Sequence, residues 1–543
     1  MYAWVGGTGQ PTTQRKAYAR PCDVASGVSR YWVGVIAVSV LICGCTTVGP
    51  DYVRPSADVA GQWIEVDDPR IKAEPPGHRE WWTVFNDPVL NVLVDTAYKQ
   101  NLTLRSAGIR ILEARARLGI SVGFQYPQQQ TGTYSFRRTK LSENFDPGVI
   151  SSPSNEFSSN MIGFDAGWEL DFWGKFRRGL ESANADMGAS IANYDDILVS
   201  LVAEVAATYV QIRTFEERLR FARQNVKIQT RSFQIADVRF RNGAVTELDV
   251  QQAKANLRNT EALIPELEMG LRQAQNALSI LLGMPPRDLQ DVLGSPTPIP
   301  TVPPDVAIGV PADLLRRRPD IQRAERLAAA QSARIGIAVS DLYPTIKIAG
   351  AFGWQANDVT DLFQSASIIG SAGTSIVWPI FNYGRIRNNV RVQDARFQQV
   401  VVDYQNSVLK AAEEVENAVV AFLRTQEAVK LLADSVKASR RWEQLALIQY
   451  REGLIDFTPV LDSEEFLAAQ EDRLAQTTGD IAVSLIAMYK GLGGGWEIRI
   501  GKGFVPVQTK QEMQERTNWG DFLTSPENVS PKPVRVIPAA PDW

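Results

Sequence analysis

The sequence of this chain repeats itself, and this duplication restricts the possible folds more than any other feature. A block that starts at Ala116 and leads to a Tyr-Pro pair returns at Ala333, 217 positions later. Further matches share an offset of 210 positions and link Trp168 to Trp378, Gly174 to Gly384, Arg241 to Arg451 and Leu282 to Leu492. Because several separate blocks agree in the same order, we predict two fused units of roughly 200 residues.

Each unit has the same order of predicted elements: a helical stretch, two strand-like segments, a very long helix, a turn and a second helix. Neither proline nor glycine interrupts residues 189–242 or 385–452. At 1.5 Å per residue the second stretch predicts a helix of about 100 Å, far longer than the helices of compact domains.

Apolar residues recur every seven positions in both long stretches, which predicts left-handed coiled-coil packing. The first unit has Leu198, Val205, Ile212, Leu219, Val226, Phe233 and Phe240, and the second has Val408, Val415, Phe422, Val429 and Val436. In the second unit Glu443 interrupts the pattern before Tyr450. A generic structural coiled coil would show the same local pattern, but both units carry it in the same phase, which favours one special assembly.

Each long helix ends in a turn that contains glycine. The two turn triplets are Arg241, Asn242 and Gly243 in the first unit, and Arg451, Glu452 and Gly453 in the second. Glycine at such a position can adopt the left-handed conformation that ends a helix. Thr246 with Asp249 predicts a capping box at the start of the return helix, and Thr458 with Pro459 predicts an N-cap followed by a first-turn proline. Each unit therefore contains a helical hairpin, and Pro265 is expected to kink or split the first return helix.

Two segments with alternating polarity precede each long helix. They are residues 131–136 and 162–168 in the first unit, and 346–352 and 374–378 in the second. Four strands cannot close a barrel, and an open sheet edge cannot face lipid. Either identical subunits share one barrel, or the segments form soluble hairpins that pack on the helices. Three copies would supply about 12 strands, enough for a water-filled lumen.

The first 44 residues resemble a bacterial export signal. Arginines, the last of them Arg30, precede an apolar run at 31–42 that is too short to span a bilayer. A Cys-Gly pair directly before Cys45 resembles a lipoprotein processing site, so Cys45 is expected to be the first mature residue and to carry a covalent lipid. The alternative is an ordinary signal peptide. In bacterial lipoproteins an aspartate directly after the lipidated cysteine acts as an inner-membrane retention signal. This chain has Thr46 there, so the analogy favours the outer membrane as its location.

Composition argues against several other classes of protein. The chain has 57 basic and 61 acidic residues, a net charge of −4, without the basic excess of nucleic-acid-binding proteins. One histidine, His78, and three cysteines leave little for a zinc site or a histidine-based triad. We find no phosphate-binding loop or nucleophile elbow, so neither an enzyme nor a cofactor is expected beyond the lipid on Cys45.

Three motifs resemble those of TolC-like outer-membrane factors of the lipoprotein, NodT and OprM type. They are the start at 45–55, the Trp81-Trp82 pair with its downstream Phe, Asp and Pro, and the Arg-Arg-Arg-Pro-Asp string within 310–321. The resemblance covers essentially the whole mature chain. It implies a mainly helical fold with a transmembrane β part, in which a homotrimer joins a 12-stranded β-barrel to a long helical tunnel.

The same resemblance implies a function and its partners. The trimer would be the exit duct of a tripartite efflux pump in the outer membrane of a Gram-negative cell, and it would project into the periplasm. A periplasmic adaptor and an inner-membrane transporter of the resistance-nodulation-division type would complete the pump. A periplasmic adaptor lipoprotein is the alternative class, but it would carry one long hairpin instead of two duplicated ones.

The resemblance also implies a gate near the hairpin tips. By position, Tyr450 corresponds to the family's gate tyrosine, Asp249 to the aspartate that bonds it, and Asp462 to an acidic ring residue that faces the pore axis. The alternative for Asp462 is a solvated charge on a helix face. Pro459 and Ile455 depart from the family pattern, so fewer charged links are expected in the closed state. The two turn triplets would dock the adaptor; the alternative is that they only reverse the chain.

These features divide the chain into six parts. They are a signal peptide (1–44), a lipidated extended segment (45–90), the first repeat (91–295), a linker (296–309), the second repeat (310–495) and an extended tail at the equator of the tunnel (496–543). Because the leader is long, we expect translation to start near Val24 or Val28.

Overall fold

A computed structural model describes residues 47–523, except 73, 75–76, 78, 143 and 145–155. The predicted signal peptide, Cys45 and the end of the predicted tail lie outside the described residues. The helices are α1 (Pro88–Gln100), α2 (Leu102–Gly123), α3 (Lys175–Arg241), α4 (Glu247–Leu281), α5 (Gln290–Leu293), α6 (Leu314–Arg317), α7 (Pro319–Ser340), α8 (Arg385–Arg451), α9 (Thr458–Gly491) and α10 (Val507–Arg516). The strands are β1 (Ile71–Lys72), β2 (Gln129–Lys140), β3 (Glu156–Leu170), β4 (Val306–Ala307), β5 (Thr345–Ala356) and β6 (Ile368–Val377).

The long helices α3 and α8 have 67 residues each, and both their first and last residues lie 210 positions apart. Helix α3 also continues through Gly179 and Gly188, because a helix-interior glycine costs only about 1 kcal/mol relative to alanine. Among the described residues α3 is long and apolar enough to cross a membrane, but 61% of its apolar window is buried in the protein. That burial is also typical of a core helix.

The return helices begin differently from the prediction. Thr246 is the N-cap of α4, but its side chain makes no capping hydrogen bond, so the predicted capping box is wrong. Phe457, and not Thr458, is the N-cap of α9, so Pro459 is the second residue of that helix. Pro265 lies inside α4 without splitting it. Tertiary contacts compete with local capping at these tips, since Phe457 is buried in the tip cluster and Asp249 bonds to Tyr450.

The four long strands form one antiparallel sheet in the order β2-β3-β5-β6. Strand β3 pairs with β5, with Phe164 opposite Phe352, so the sheet joins the two repeats. The strands have 10 to 15 residues and are longer than the segments that the sequence predicted. Within the described residues, β2 and β6 each have one edge without a partner strand.

The two faces of this sheet differ in polarity. Register places on one face mainly apolar and aromatic residues, among them Tyr134, Phe136, Ile162, Phe164, Trp168, Ile348, Phe352, Trp354, Ile368 and Ile376. The opposite face carries small and polar residues, among them Thr131, Thr133, Ser135, Asp165, Lys347, Ala349, Ala351, Ser371 and Ser375. Many of the large apolar side chains are exposed, as those of Tyr134, Phe164 and Phe352 show.

The segments outside the repeats are more structured than predicted. The segment at 45–90 contains a 3-10 helix at Trp81–Phe85 and the start of α1, and β1 pairs in parallel with β4 of the linker. The predicted tail contains α10, so it is not extended throughout. Trp81 is fully buried and stacks on Tyr489 of α9 with ring centroids 5.3 Å apart, which anchors the N-terminal segment in the main core.

The contacts of Arg318 give the Arg-Pro-Asp string a structural role. It is the N-cap residue of α7 and its guanidinium pairs with Asp320 at 2.9 Å and with Glu414 of α8 at 2.7 Å. The same side chain donates to the carbonyl oxygen of Gly491 at the end of α9, at 2.6 Å. One arginine therefore connects three helices of the second repeat.

Candidate functional site at the hairpin tips

The long helices α3 and α8 both end in the same type of glycine turn at the hairpin tips. Gly243 and Gly453 have φ angles of 72° and 78°, the left-handed conformation that glycine adopts without strain. One residue later, Ala244 N donates to the Arg239 carbonyl and Leu454 N donates to the Gln449 carbonyl, each at 2.9 Å. The predicted helix ends are confirmed at both turns.

A small apolar cluster lies directly behind the tips. Its buried members are Ala236, Val250, Ala253, Ala446, Tyr450, Phe457 and Val460. They come from all four hairpin helices and from the residue before α9. The cluster is separate from the main core among the described residues, so the tips have a packing unit of their own.

Tyr450 is the largest polar side chain of this cluster and is completely buried. Its hydroxyl group donates a hydrogen bond of 3.1 Å to Oδ2 of Asp249, which lies on the other hairpin. Its ring meets that of Phe457 edge-on, with centroids 5.2 Å apart. Burial, followed by the bond to Asp249, raises the pKa of Tyr450, so the hydroxyl remains a donor. The structure thus brings together the two residues that the resemblance paired.

Arg239 is a third member that sequence reasoning missed. Its Nη1 donates to the carbonyl oxygen of Tyr450, and its guanidinium carbon lies 4.5 Å from the centre of the Tyr450 ring. In the sequence it is one of two basic residues in the last turn of α3, where arginine is favoured by the helix dipole. The two repeats differ at this position, since the second repeat has Gln449 where the first has Arg239. That difference is the sequence signal that could have marked Arg239 as special.

The other predicted site residues are on the surface, as is Asp462 of α9. Of the two residues that depart from the family pattern, Ile455 is partly buried and packs against the cluster, and Pro459 is partly buried on α9. Arg241 pairs with Asp237 at 2.8 Å and Arg451 pairs with Glu452 at 3.0 Å, both on the surface. The turn triplets (241–243 and 451–453) are exposed in full. Among the described residues, no group of three or more His, Cys, Asp or Glu side chains is arranged to hold a metal ion.

At the opposite end of the long helices, the start of the described chain lies against the base of the sheet. Val48 N donates to the carbonyl oxygen of Trp173 at 3.1 Å, just after β3. Arg178, in the first turn of α3, binds Asp51 at 2.8 Å and is 4% exposed. Val48 and Asp51 are therefore fixed where the sheet meets the long helix.

The chain is similar to known proteins over most of its length. The model of a family described as outer membrane efflux protein matches residues 93–284 and 310–494, more than half of the chain. The pyoverdine export outer membrane protein OpmQ of Pseudomonas putida is 29% identical, over 85% of this chain and 96% of its own length. Nodulation protein T of Rhizobium leguminosarum bv. trifolii is 28% identical, over 86% of this chain and 97% of its own length. A solved structure of the outer-membrane channel OprN is 35% identical with a TM-score of 0.77, over 83% of this chain and 99% of that chain.

Proposed function

Because the chain belongs to the outer membrane efflux protein family, it is an outer-membrane channel of an efflux pump, and we propose that three identical copies form its duct. The family is one of transport channels and not a class of enzymes. The duct would perform no chemistry. Its role would be to open and to conduct molecules that a partner transporter delivers.

The main support for a trimer is the four-stranded sheet, with its unpaired edges and its two faces of different polarity. Strands β2 and β6 each have one unpaired edge, and such edges are not tolerated in lipid. Four strands per chain give about 12 strands for three chains, a number compatible with an aqueous lumen. The apolar face would contact lipid and the small, polar face would line that lumen. Pairing β6 of one copy with β2 of the next would close the wall.

The helical hairpins would continue the wall into the periplasm. Helices α3 and α8 are each about 100 Å long at 67 residues. In the closed duct, the bond of Tyr450 to Asp249 would hold the second hairpin against the first. Three Asp462 carboxylates would form a ring on the pore axis, where their mutual repulsion favours opening or cation binding.

A lipid on Cys45 fits the position of the first described residues. Thr47 packs beside Gly174 at the base of the sheet, and two residues span at most about 7 Å. The lipid would therefore enter the membrane beside the barrel wall, and it would be the protein's only covalent attachment there.

The exposed turn triplets supply the surface for a periplasmic adaptor. They lie at the far end of the hairpins from the sheet, which is the end that would meet an inner-membrane transporter of the resistance-nodulation-division type and its adaptor. Among the relatives, OpmQ is named for pyoverdine export. For this chain we propose small molecules selected by the transporter, since the duct only conducts them.

The proposal is tested by mass and conductance of the purified protein. In mild detergent we expect a particle with three chains, and in planar bilayers we expect ion-conducting channels. A water-soluble monomer that leaves lipid vesicles sealed after removal of its acyl group would contradict the proposal.

A further inference from the structure

Three buried glutamates lie between the helices behind the gate. Glu464 and Glu471 belong to α9 and Glu443 belongs to α8, and they are 2%, 1% and 5% exposed. We call these three residues the carboxyl layer. Glu443 is the residue that interrupts the seven-residue stripe of α8. A charged group in this position is costly unless it is bonded or neutralised, so the layer calls for an explanation beyond coiled-coil packing.

Two of the glutamates have specific partners on other helices. Glu464 accepts a hydrogen bond of 3.0 Å from Asn256 of α4 and another from the hydroxyl group of Ser232 of α3. Glu471 accepts a hydrogen bond of 2.9 Å from Asn225 of α3, and it forms an ion pair with Arg440 of α8. Glu471 thus has a cation as its direct partner, whereas the partners of Glu464 within the described part of the chain are neutral donors.

Gln229 is a buried amide that could form a further hydrogen bond to the carboxyl layer. It lies on α3 four residues after Asn225 and three before Ser232, on the same helix face, and therefore between the two bonded glutamates. It is 2% exposed, and neither polar atom of its amide has a hydrogen-bond partner. An amide both donates and accepts, so it can serve a neighbouring carboxyl group in either protonation state.

The charges around Glu464 do not compensate its burial. Burial is the largest cause and raises the pKa of Glu464 to about 7. Glu443 of α8 and Glu465 of α9 act in the same sense as burial, while the hydrogen bonds from Ser232 and Asn256 oppose it. Burial also raises the pKa of Glu443, with Glu471 acting in the same sense and Arg231 of α3 opposing it. From α4 the facing polar group is Asn256, which is neutral.

We propose that the carboxyl layer makes closure of the gate depend on protons: a proton on Glu464 holds α9 against α3 and α4, and loss of that proton loosens α9. This inference rests on the proposed function. Helix α9 also carries Asp462, two residues before Glu464, and Val460, which packs in the cluster around Tyr450. Loosening α9 therefore loosens the tip directly.

The direction of the pH effect follows from the raised pKa. The folded, closed arrangement binds a proton on Glu464 more tightly than a solvated arrangement does, so its contribution is complete below the ordinary carboxyl range. This contribution is lost as the pH rises through about 7. Closure of the gate should therefore weaken steadily as the pH rises from about 5 and should be weakest above about pH 8.

Conductance of single channels in planar bilayers tests the inference at pH 5.5 and pH 8.5. For the wild type we expect the ratio of open to closed channels to rise roughly tenfold between these values. In Glu464→Gln the side chain can still accept from Ser232 and Asn256 but cannot ionise, so its open fraction should stay low at both values. Glu266→Gln removes an exposed carboxyl group of α4 that does not act on Glu464, and it should keep the wild-type response. Equal pH responses of Glu464→Gln and the wild type would overturn the inference.

Hydrogen exchange of the wild-type trimer provides a second readout that needs neither a variant nor conduction. Protection of the amides at 458–467, corrected for the intrinsic rate, should fall between pH 6 and pH 8, and protection in the middle of α3 should not. Unchanged protection in α9 would overturn the proton dependence while leaving the channel function intact. A protein that conducts at no pH would instead contradict the proposed function, and the exchange measurement would still decide the role of Glu464.

Discussion

Tyr450 receives three kinds of contact from three different elements. Asp249 of α4 accepts a hydrogen bond from its hydroxyl group, Phe457 packs on the edge of its ring, and Arg239 of α3 contacts both its ring face and its carbonyl oxygen. Near the tips, Tyr450 of the second hairpin is thus held by two residues of the first hairpin, Asp249 and Arg239. The positions of Tyr450 and Asp249 could be inferred from the family pattern, whereas the contribution of Arg239 depends on how the helices pack.

Removing the bond between the hairpins is expected to open the channel. A hydrogen bond to a charged group contributes about 1.5–3 kcal/mol, and about 1.4 kcal/mol changes an equilibrium tenfold. Tyr450→Phe combined with Asp249→Ala should therefore increase the open fraction of the isolated trimer in planar bilayers by about tenfold or more. Asp237→Asn removes a tip carboxylate that pairs only with Arg241 in the described contacts, and it should leave conductance unchanged. Unchanged conductance of the double variant would exclude these residues from the gate.

At the scale of the elements, each long helix starts after a glycine with a positive φ angle. Gly174 has φ 80° and Gly384 has φ 82°, at corresponding positions of the two repeats. At Gly174 a Cβ atom would also lie only 2.5 Å from the Thr47 side chain. These glycines set the direction in which each helix leaves the sheet.

Alanine at these positions is expected to destabilise the protein in a defined order. The left-handed conformation costs a residue with a Cβ atom about 1–2 kcal/mol, and only Gly174→Ala adds the overlap with Thr47. Thermal unfolding followed by the helical circular dichroism signal should show a larger loss for Gly174→Ala than for Gly384→Ala. Gly179→Ala is the matched control, since it lies inside α3 with open space around it and should be neutral or stabilising. Equal melting of the Gly174 and Gly179 variants would refute the argument.

The polarity of the sheet faces gives a prediction for adjacent residues of β5. A lysine in the lipid-facing position of a barrel costs about 2–4 kcal/mol near the membrane centre. Phe352→Lys should therefore reduce the amount of trimer in the outer membrane. Ala351→Lys points to the other face, opposite Asp165 of β3, and should be tolerated. Comparable trimer yields for both variants would indicate that the faces do not separate lipid from lumen.

At the scale of the whole molecule, the described part of one chain has two sheet edges without a partner strand and many aromatic side chains exposed on one face. Such a surface is unsuited to a monomer in water and suited to association within a bilayer. The N-terminal segment adds an attachment at the same level, since Thr47 and Val48 contact the junction of the sheet and α3.

Metabolic labelling with a radioactive fatty acid tests that attachment. Because Cys45 is the only cysteine of the predicted mature chain, the wild type should incorporate label and Cys45→Ala should not. The variant should still form trimers in detergent if a replacement signal peptide exports it, because the sheet and the hairpins are unchanged. Label in the Cys45→Ala protein would show that the lipid is attached elsewhere.

The sequence alone determined the features that depend on neighbouring residues. The repeat, the lengths of α3 and α8, the glycine turns and the alternation of the strands all follow from local spacing. The capping box at Thr246 and the N-cap at Thr458 were predicted from the same local patterns and were wrong, because Asp249 and Phe457 are engaged in contacts across the tip.

Tertiary structure alone decided the contacts between residues that are far apart in the chain. The pairing of β3 with β5, the arginine over Tyr450 and the carboxyl layer each join positions separated by roughly 200 residues. A buried polar residue has the same local pattern whether it pairs with another helix or faces water. Which of these occurs depends on the packing of the helices, and no local spacing encodes that.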